Sequence, residues 1–321
     1  FVISGFLITS TAIARWGSLS NIELGAFYCY RAARILPSLL LALSIIVALG
    51  SLDVPFFNNA DGNVARPASY FLIAIASVLG FWHNVLMASA GYFNYCLNVY
   101  WSLSVEEMFY LLMPLVAALA RRTALLVACA GAVAAGPLYR ATHSDNELLF
   151  LYAYPACFDA IAIGCLTALL APRLPRRLVA EHGRALRLFG AAALAVVYLR
   201  GIAGHEIFGF TLVALASAVY LLGAADPRQG GVSGGQPGAW LRWAGRHSYE
   251  LYLFHILVLA LMRNVLSREE LSYGARLPWL LLFLGLSALV AALVARYVGD
   301  PANAALRRLY RLRQGRRQRL A

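Results

Sequence analysis

The chain contains no lysine; all 27 of its basic residues are arginine. That absence excludes a lysine Schiff base, a lysine general base and the lysine of a phosphate-binding loop. Charge of either sign is scarce, at 13% of 321 residues, about half of what a soluble domain carries. The polar shell of a soluble protein cannot be built from so little, and a disordered, collagenous or coiled-coil chain is excluded on the same composition. Cysteine is limited to Cys29, Cys96, Cys129, Cys157 and Cys165, an odd number without a short repeated spacing, so neither a disulfide frame nor a zinc site is expected. HExxH is missing, and with it a metalloprotease pair. No metal is expected.

What is present is apolar. Hydrophobic residues make up 61% of the chain and the mean hydropathy is +0.68. These values predict an all-α, polytopic membrane helix bundle with the lipid bilayer as its surroundings. The formal net charge of +12 does not point to nucleic acid, because the arginines flank apolar segments, as orientation signals and lipid-phosphate contacts do.

Apolar stretches run over residues 1–14, 31–50, 70–86, 100–120, 124–139, 148–171, 186–199, 207–224, 248–265 and 277–298. Phe1 to Ile8 is too short to span a hydrocarbon core, which takes about 20 helical residues, and reads as part of a membrane helix that begins upstream. The densest basic cluster is Arg307, Arg308, Arg311, Arg313, Arg316, Arg317 and Arg319. It places residues 301–321 in the cytoplasm as a basic tail behind a membrane domain of residues 1–300. Arg173 to Arg187, Arg228 to Arg246, Arg121–Arg122, and Arg15 with Arg31 and Arg34 mark further cytoplasmic loops. Three apolar stretches lie between Arg34 and Arg121, an odd number, so one of them does not cross. Residues 70–86 form the weakest span and are expected to be a re-entrant or interfacial helix on the outer side, capped by His83–Asn84. About nine crossings remain, or ten in a complete chain. Gln229 to Gly238, with five glycines, reads as a flexible linker.

Ionisable residues inside such helices cost about 2.5–3.5 kcal/mol each at mid-helix and therefore call for a reason. Arg31 and Arg34 share one helix face at i,i+3. They are either a positive-inside anchor that snorkels to lipid or a fork for phosphates. In Trp101-Ser102-Leu103-Ser104-Val105-Glu106-Glu107-Met108-Phe109-Tyr110, Ser102, Glu106 and Tyr110 fall on one stripe. The acids either favour the helix N-terminus or, beside Trp101, accept hydrogen bonds from a polyol. Ser248, Tyr252 and His255 form a third polar face, and a lone histidine such as His255 on an apolar helix is more often a hydrogen-bonded structural residue than a chemical one. Asp159 is the remaining intramembrane acid, expected to pair with one of these arginines or tyrosines.

The order of these motifs is more specific than any one of them. Phe1-Val2-Ile3-Ser4-Gly5-Phe6-Leu7-Ile8, then Arg31-x-x-Arg34, then Trp101-Ser102-Leu103-x-Val105-Glu106-Glu107-x-Phe109-Tyr110, then Ser248-Tyr249-x-Leu251-Tyr252-Leu253-x-His255 resembles the acyltransferase 3 family. The resemblance implies a ten-helix membrane enzyme with both termini inside, at the inner (plasma) membrane. It would transfer an acyl group, acetyl above all, from cytoplasmic acyl-CoA to a hydroxyl of a surface glycan or glycolipid such as lipopolysaccharide. It assigns Arg31 and Arg34 to the donor phosphates, Trp101, Ser102 and Tyr110 to the acceptor, Glu106 to the chemistry and His255 to a supporting role, with the family's catalytic histidine on a helix upstream of Phe1. Cys157 stands where relatives often carry arginine. The rival reading is a transporter or flippase of a lipid-linked sugar, which would normally show internal repeats that this sequence lacks; a catalytically incomplete fragment is the third.

Overall fold

The computed structural model describes residues 1–62, 65–119, 121–224, 238–267, 270 and 272–320. Every regular element among the described residues is helical: α1 (Val2–Trp16), α2 (Leu24–Ser51), α3 (Tyr70–Leu79), α4 (His83–Ala90), α5 (Tyr95–Asn98), α6 (Trp101–Leu119), α7 (Arg121–Thr142), α8 (Glu147–Tyr152), α9 (Tyr154–Leu170), α10 (Arg176–Arg200), α11 (Glu206–Ala224), α12 (Ala239–Arg246), α13 (Ser248–Val265), α14 (Arg276–Val294) and α15 (Asp300–Leu320), with short 3-10 and π turns between some of them. The all-α membrane architecture expected from composition is what the chain adopts. Among the described residues, five helical segments are long and apolar enough to cross a bilayer on length and composition: Leu24–Ser51, Thr123–Thr142, Glu147–Arg173, Glu206–Ala224 and Tyr273–Gln314. Helices α6 and α13 reach 19 and 18 residues but carry the carboxylates and histidine that lower their hydropathy.

Two expectations change on the structure. Residues 70–86 are not one helix. Phe81 adopts a left-handed φ of 59°, which ends the path of α3, and α4 starts afresh at His83. At 10 and 8 residues and about 1.5 Å per residue, neither piece crosses about 30 Å of hydrocarbon by itself. His83 and Asn84 therefore open a second short helix instead of capping the first. Asp159 pairs with none of the residues singled out for it; its partner is Arg140. The glycine-rich linker, Gly238 apart, lies outside the described residues, together with Arg228.

The chain divides into two compact units. The first comprises Phe1–Glu23, Val78–Ser89 and Tyr100–Ser233. Its helices α6, α7, α9, α10 and α11 follow one another through short connections, so neighbours run antiparallel. Consequently the starts of α6, α9 and α11 share one end of the unit with the close of α7. The opposite, arginine-rich end carries Arg15 and Arg173. Helices α1 and α9 approach each other through glycine: a Cβ on Gly5 would strike the Ile161 carbonyl oxygen, and one on Gly164 would strike that of Val2. Small residues that admit such backbone contact are the usual basis of helix pairing in lipid, where apolar burial gives no drive.

At the end of this unit where α7 closes, Arg140 (1% exposed) is held by α9 and α11. Its Nη2 donates to Asp159 Oδ2 at 2.7 Å and to Thr211 Oγ1 at 2.7 Å, its Nε donates to the Ile207 carbonyl at 2.9 Å, and its Nη1 donates to the Ala156 carbonyl. Thr211 in turn donates to Asp159 at 2.6 Å. The group is satisfied throughout, the condition under which a buried charge pair is tolerated.

The second unit comprises Leu24–Ser77, Ala90–Val99 and Gly234–Ala321. Helix α2 packs against α13 and α15, and α13 against α14. One π turn, Ala295–Gly299, carries α14 into α15. Helix α14 leaves Leu277, Leu281 and Leu289 more than half exposed, which suits a lipid-facing side. Beyond the far end of α2, Asn94 donates to the Phe57 carbonyl and to Asn59 Oδ1 at 2.9 and 3.0 Å, and Arg263 stacks 4.1 Å over Phe56 and 4.9 Å over Tyr95.

Candidate active site

The first unit brings the Trp101-to-Tyr110 motif onto a single helix, as its spacing predicts. Ser4 of α1 donates a 2.8 Å hydrogen bond to Glu106 Oε1, so the serine of the Phe-Val-Ile-Ser-Gly-Phe run and the first acid of the tryptophan motif meet across 102 residues of chain. Among the described residues Glu106 Oε2 has no hydrogen-bond partner, which leaves an acceptor available on a half-buried carboxylate. Glu107 is buried at 3% exposure, and Tyr110 is buried a turn beyond Glu106. Ser102 is half-buried, one turn before Glu106 on the same stripe.

Trp101 is the first residue of the same helix. Its ring centroid lies 4.5 Å from that of Tyr152 and 5.8 Å from that of Phe1. The Tyr152 carbonyl accepts from Asn84 Nδ2 at 3.0 Å, which ties α4 to α8. Trp101, Tyr152 and Phe1 line a cavity of about 550 Å³ whose wall also includes Cys157, Asp159 and Ser217. That volume lies within the ~300–1,000 Å³ typical of small-molecule sites, and a mostly apolar wall with a few polar groups is their usual chemistry. Sequence reasoning named Trp101 but not Tyr152. A tyrosine within an apolar run carries no signal until folding sets it 4.5 Å from a tryptophan.

The second unit carries Arg31, Arg34 and His255. Arg34 donates to Glu250 through Nη1 to Oε1 at 3.2 Å and Nη2 to Oε2 at 3.3 Å, and Nη2 also reaches the Arg246 carbonyl at 3.3 Å. Glu250 is wholly buried, whereas Arg34 keeps 30% of its side chain exposed. A Cβ on Gly299 would lie 3.0 Å from Glu250 Oε1 and 3.1 Å from Ser38 Oγ, so the π turn leaves glycine as the residue that fits beside the pair. Arg34 also lies 5.8 Å from the Tyr249 ring, and the Tyr249 hydroxyl donates to the Ile35 carbonyl at 3.0 Å. Arg31 is half-buried one turn earlier on α2. Glu250 stands in the Ser248-to-His255 motif without a role, and its position five residues before His255 gives no hint of Arg34.

His255 Nδ1 lies 3.0 Å from the Leu251 carbonyl and 2.8 Å from that of Tyr252. Carbonyls only accept, so Nδ1 is the donor in these contacts. The Tyr252 hydroxyl donates to the Val99 carbonyl at 2.6 Å. No group of three or more potential metal ligands occurs among the described residues.

The acyltransferase 3 model, described as an acyltransferase domain, matches residues 1–297. The chain belongs to this acyltransferase family. It is 24% identical over 294 residues to the peptidoglycan O-acetyltransferase OatA of Listeria monocytogenes, an alignment that covers 83% of this chain and 45% of that one. It is 24% identical over 324 residues to the O-acetyltransferase OatA of Staphylococcus aureus, covering 94% of this chain and 51% of the relative. YrhL of Bacillus subtilis, which its name assigns provisionally to peptidoglycan O-acetylation, is 27% identical over 295 residues, covering 83% of this chain and 44% of its own. The chain thus spans about half the length of the curated relatives it matches. No solved structure matches it.

Proposed function

We propose that this membrane protein is an O-acyltransferase that moves an acyl group, acetyl by kinship with the relatives' names, from cytoplasmic acyl-CoA to a hydroxyl of a cell-surface glycan or glycolipid. Peptidoglycan is the acceptor those names favour, and lipopolysaccharide offers the same hydroxyl chemistry. The observation that carries the reading is the Ser4–Glu106 hydrogen bond on the helix whose first residue, Trp101, lines a cavity with Tyr152. It combines a carboxylate acceptor, held in one orientation, with an aromatic platform of the kind a sugar face stacks on.

Each residue has a part in the scheme. Trp101 and Tyr152 take the sugar, while Ser102 and Tyr110 line the same helix stripe and orient its hydroxyls. Glu106 Oε2 accepts from the attacking hydroxyl. Arg31 and Arg34 hold the donor phosphates, to which guanidinium forks are well matched. As the acceptor oxygen bonds to the thioester carbonyl carbon, its proton passes to a general base. The carbon–sulfur bond breaks, and CoA leaves as a thiolate that is protonated in turn. His255 supports that proton movement. The seven arginines of residues 307–319 favour a cytoplasmic C-terminus in the plasma membrane, the side on which acyl-CoA is found.

The test is acetyl-CoA turnover by the protein in nanodiscs with a peptidoglycan or lipopolysaccharide acceptor. Glu106→Gln is expected to lower kcat by about a hundredfold or more while the protein elutes and melts as the parent does. Unchanged turnover in Glu106→Gln would remove this carboxylate from the chemistry.

A further inference from the structure

The cavity beside Trp101 has a neighbour. Phe150 and Leu151 also form the wall of a second cavity, of about 900 Å³, lined by Asp145, Arg200, His205, Glu206 and Phe208 among others. Both cavities lie within the first unit, at the end where α7 closes and where α8, α9 and α11 begin. Each alone is the size of a small-molecule site, and the two, side by side against Phe150 and Leu151, together outsize a monosaccharide.

We propose that the second cavity is an extended acceptor subsite that receives the neighbouring sugar units of an oligomeric glycan whose reacting unit stacks on Trp101. This rests on the reading of the Trp101–Tyr152 cavity as the acceptor site. The chemistry of the wall matches a saccharide better than a hydrocarbon chain. Phe150 and Phe208 offer flat apolar faces for the C–H side of a pyranose. Asp145, Arg200, His205 and Glu206 offer hydrogen-bonding groups of both polarities for its hydroxyl edge. A lipid chain in the same place would cover two carboxylates and a guanidinium without satisfying them. Glu206 is already fixed in direction, because its Oε1 accepts from the Gly204 amide at 2.9 Å. Other side chains of the protein leave this wall uncovered: Phe208 is 65% exposed. The enzyme therefore selects acceptors by chain length, with the residue at 208 setting how strongly.

The experiment is equilibrium binding to the protein in nanodiscs of β-1,4-linked N-acetylglucosamine as monomer, dimer, tetramer and hexamer, by calorimetry, for the parent, Phe208→Ala, His205→Ala and Trp101→Ala. Affinity is expected to rise at least about fivefold from dimer to hexamer. Phe208→Ala and His205→Ala are both expected to shrink that ratio, and Trp101→Ala to weaken every oligomer alike. Equal affinity for dimer and hexamer overturns the subsite, as does a length dependence that both Phe208→Ala and His205→Ala leave intact. If no oligomer binds, or if Trp101→Ala leaves all binding unchanged, the acceptor reading itself fails, and that result is distinct from the loss of length dependence alone.

Discussion

The guanidinium of Arg34 holds both oxygens of Glu250, at 3.2 and 3.3 Å, and Glu250 has no exposed surface at all. A carboxylate so buried depends on its cation. Arg34→Ala is therefore expected to destabilise the protein by about 2–4 kcal/mol, somewhat less than for a pair buried on both sides, since Arg34 reaches solvent. Glu250→Gln in the same chain should recover much of that loss. Thermal unfolding of the two single variants and the double variant in detergent gives the coupling energy; additive losses would show that the pair does not act as a unit. The double variant is also the fair test of donor binding. It removes the Arg34 charge without stranding Glu250, and it is expected to raise KM for acyl-CoA roughly tenfold or more while keeping its fold.

The Arg140–Asp159–Thr211 cluster predicts a graded series. Asp159→Ala leaves a guanidinium of 1% exposure without its counter-charge, at a cost of about 3–5 kcal/mol. Thr211→Val removes one hydroxyl from the network and should cost about 1–3 kcal/mol. Melting temperatures ordered Thr211→Val above Asp159→Ala, both below the parent, support the arrangement; an Asp159→Ala variant as stable as the parent contradicts it.

Trp101 and Glu106 should separate in kinetics. Trp101→Ala removes stacking that ground state and transition state share, so KM for the acceptor rises with little change in kcat. Trp101→Phe restores most of the affinity. Glu106→Gln acts on kcat instead. Steady-state measurements over a range of acceptor concentrations distinguish the two effects.

Cys96 is fully buried in α5, and burial together with the nearby charge of Asp61 pushes its thiol up to about 12. A raised pKa keeps the protonated form dominant at neutral and mildly alkaline pH, and the thiolate is the reactive species. In a chain whose other four cysteines are replaced by serine, maleimide is expected to leave Cys96 unlabelled until denaturant is added. Rapid labelling of the folded protein would contradict the packing of this segment.

Much of the fold was legible because lipid imposes a simple rule: backbone groups pair within helices, and apolar runs mark where. The Trp101-to-Tyr110 stripe was legible for a related reason, since its spacing is that of one helix face. What sequence could not supply was pairing across helices. Arg140 follows directly on the apolar run 124–139, where an arginine reads as a snorkelling flank, yet it turns inward to Asp159 and Thr211 on two other helices. Glu250 is paired with Arg34 across 216 residues. Helix α15 was hidden differently. With arginines in place of apolar residues it reads as a tail, yet arginine, leucine and alanine are strong helix formers. The π turn at Ala295–Gly299 feeds the chain directly into it, and Asp300 suits its first turn. The break between α3 and α4 rests on a left-handed Phe81, a conformation that its residue type gives no reason to expect.

The most direct test of acyl transfer uses sealed vesicles containing the protein, with acetyl-radiolabelled acetyl-CoA on the face bearing the arginine-rich C-terminus and peptidoglycan glycan on the other. Label is expected to accumulate on glycan hydroxyls, as base-labile ester, in proportion to CoA released, and Glu106→Gln is expected to abolish both. Intact vesicles that release no CoA and leave the glycan unlabelled, with protein whose helical content and melting are unimpaired, would contradict it.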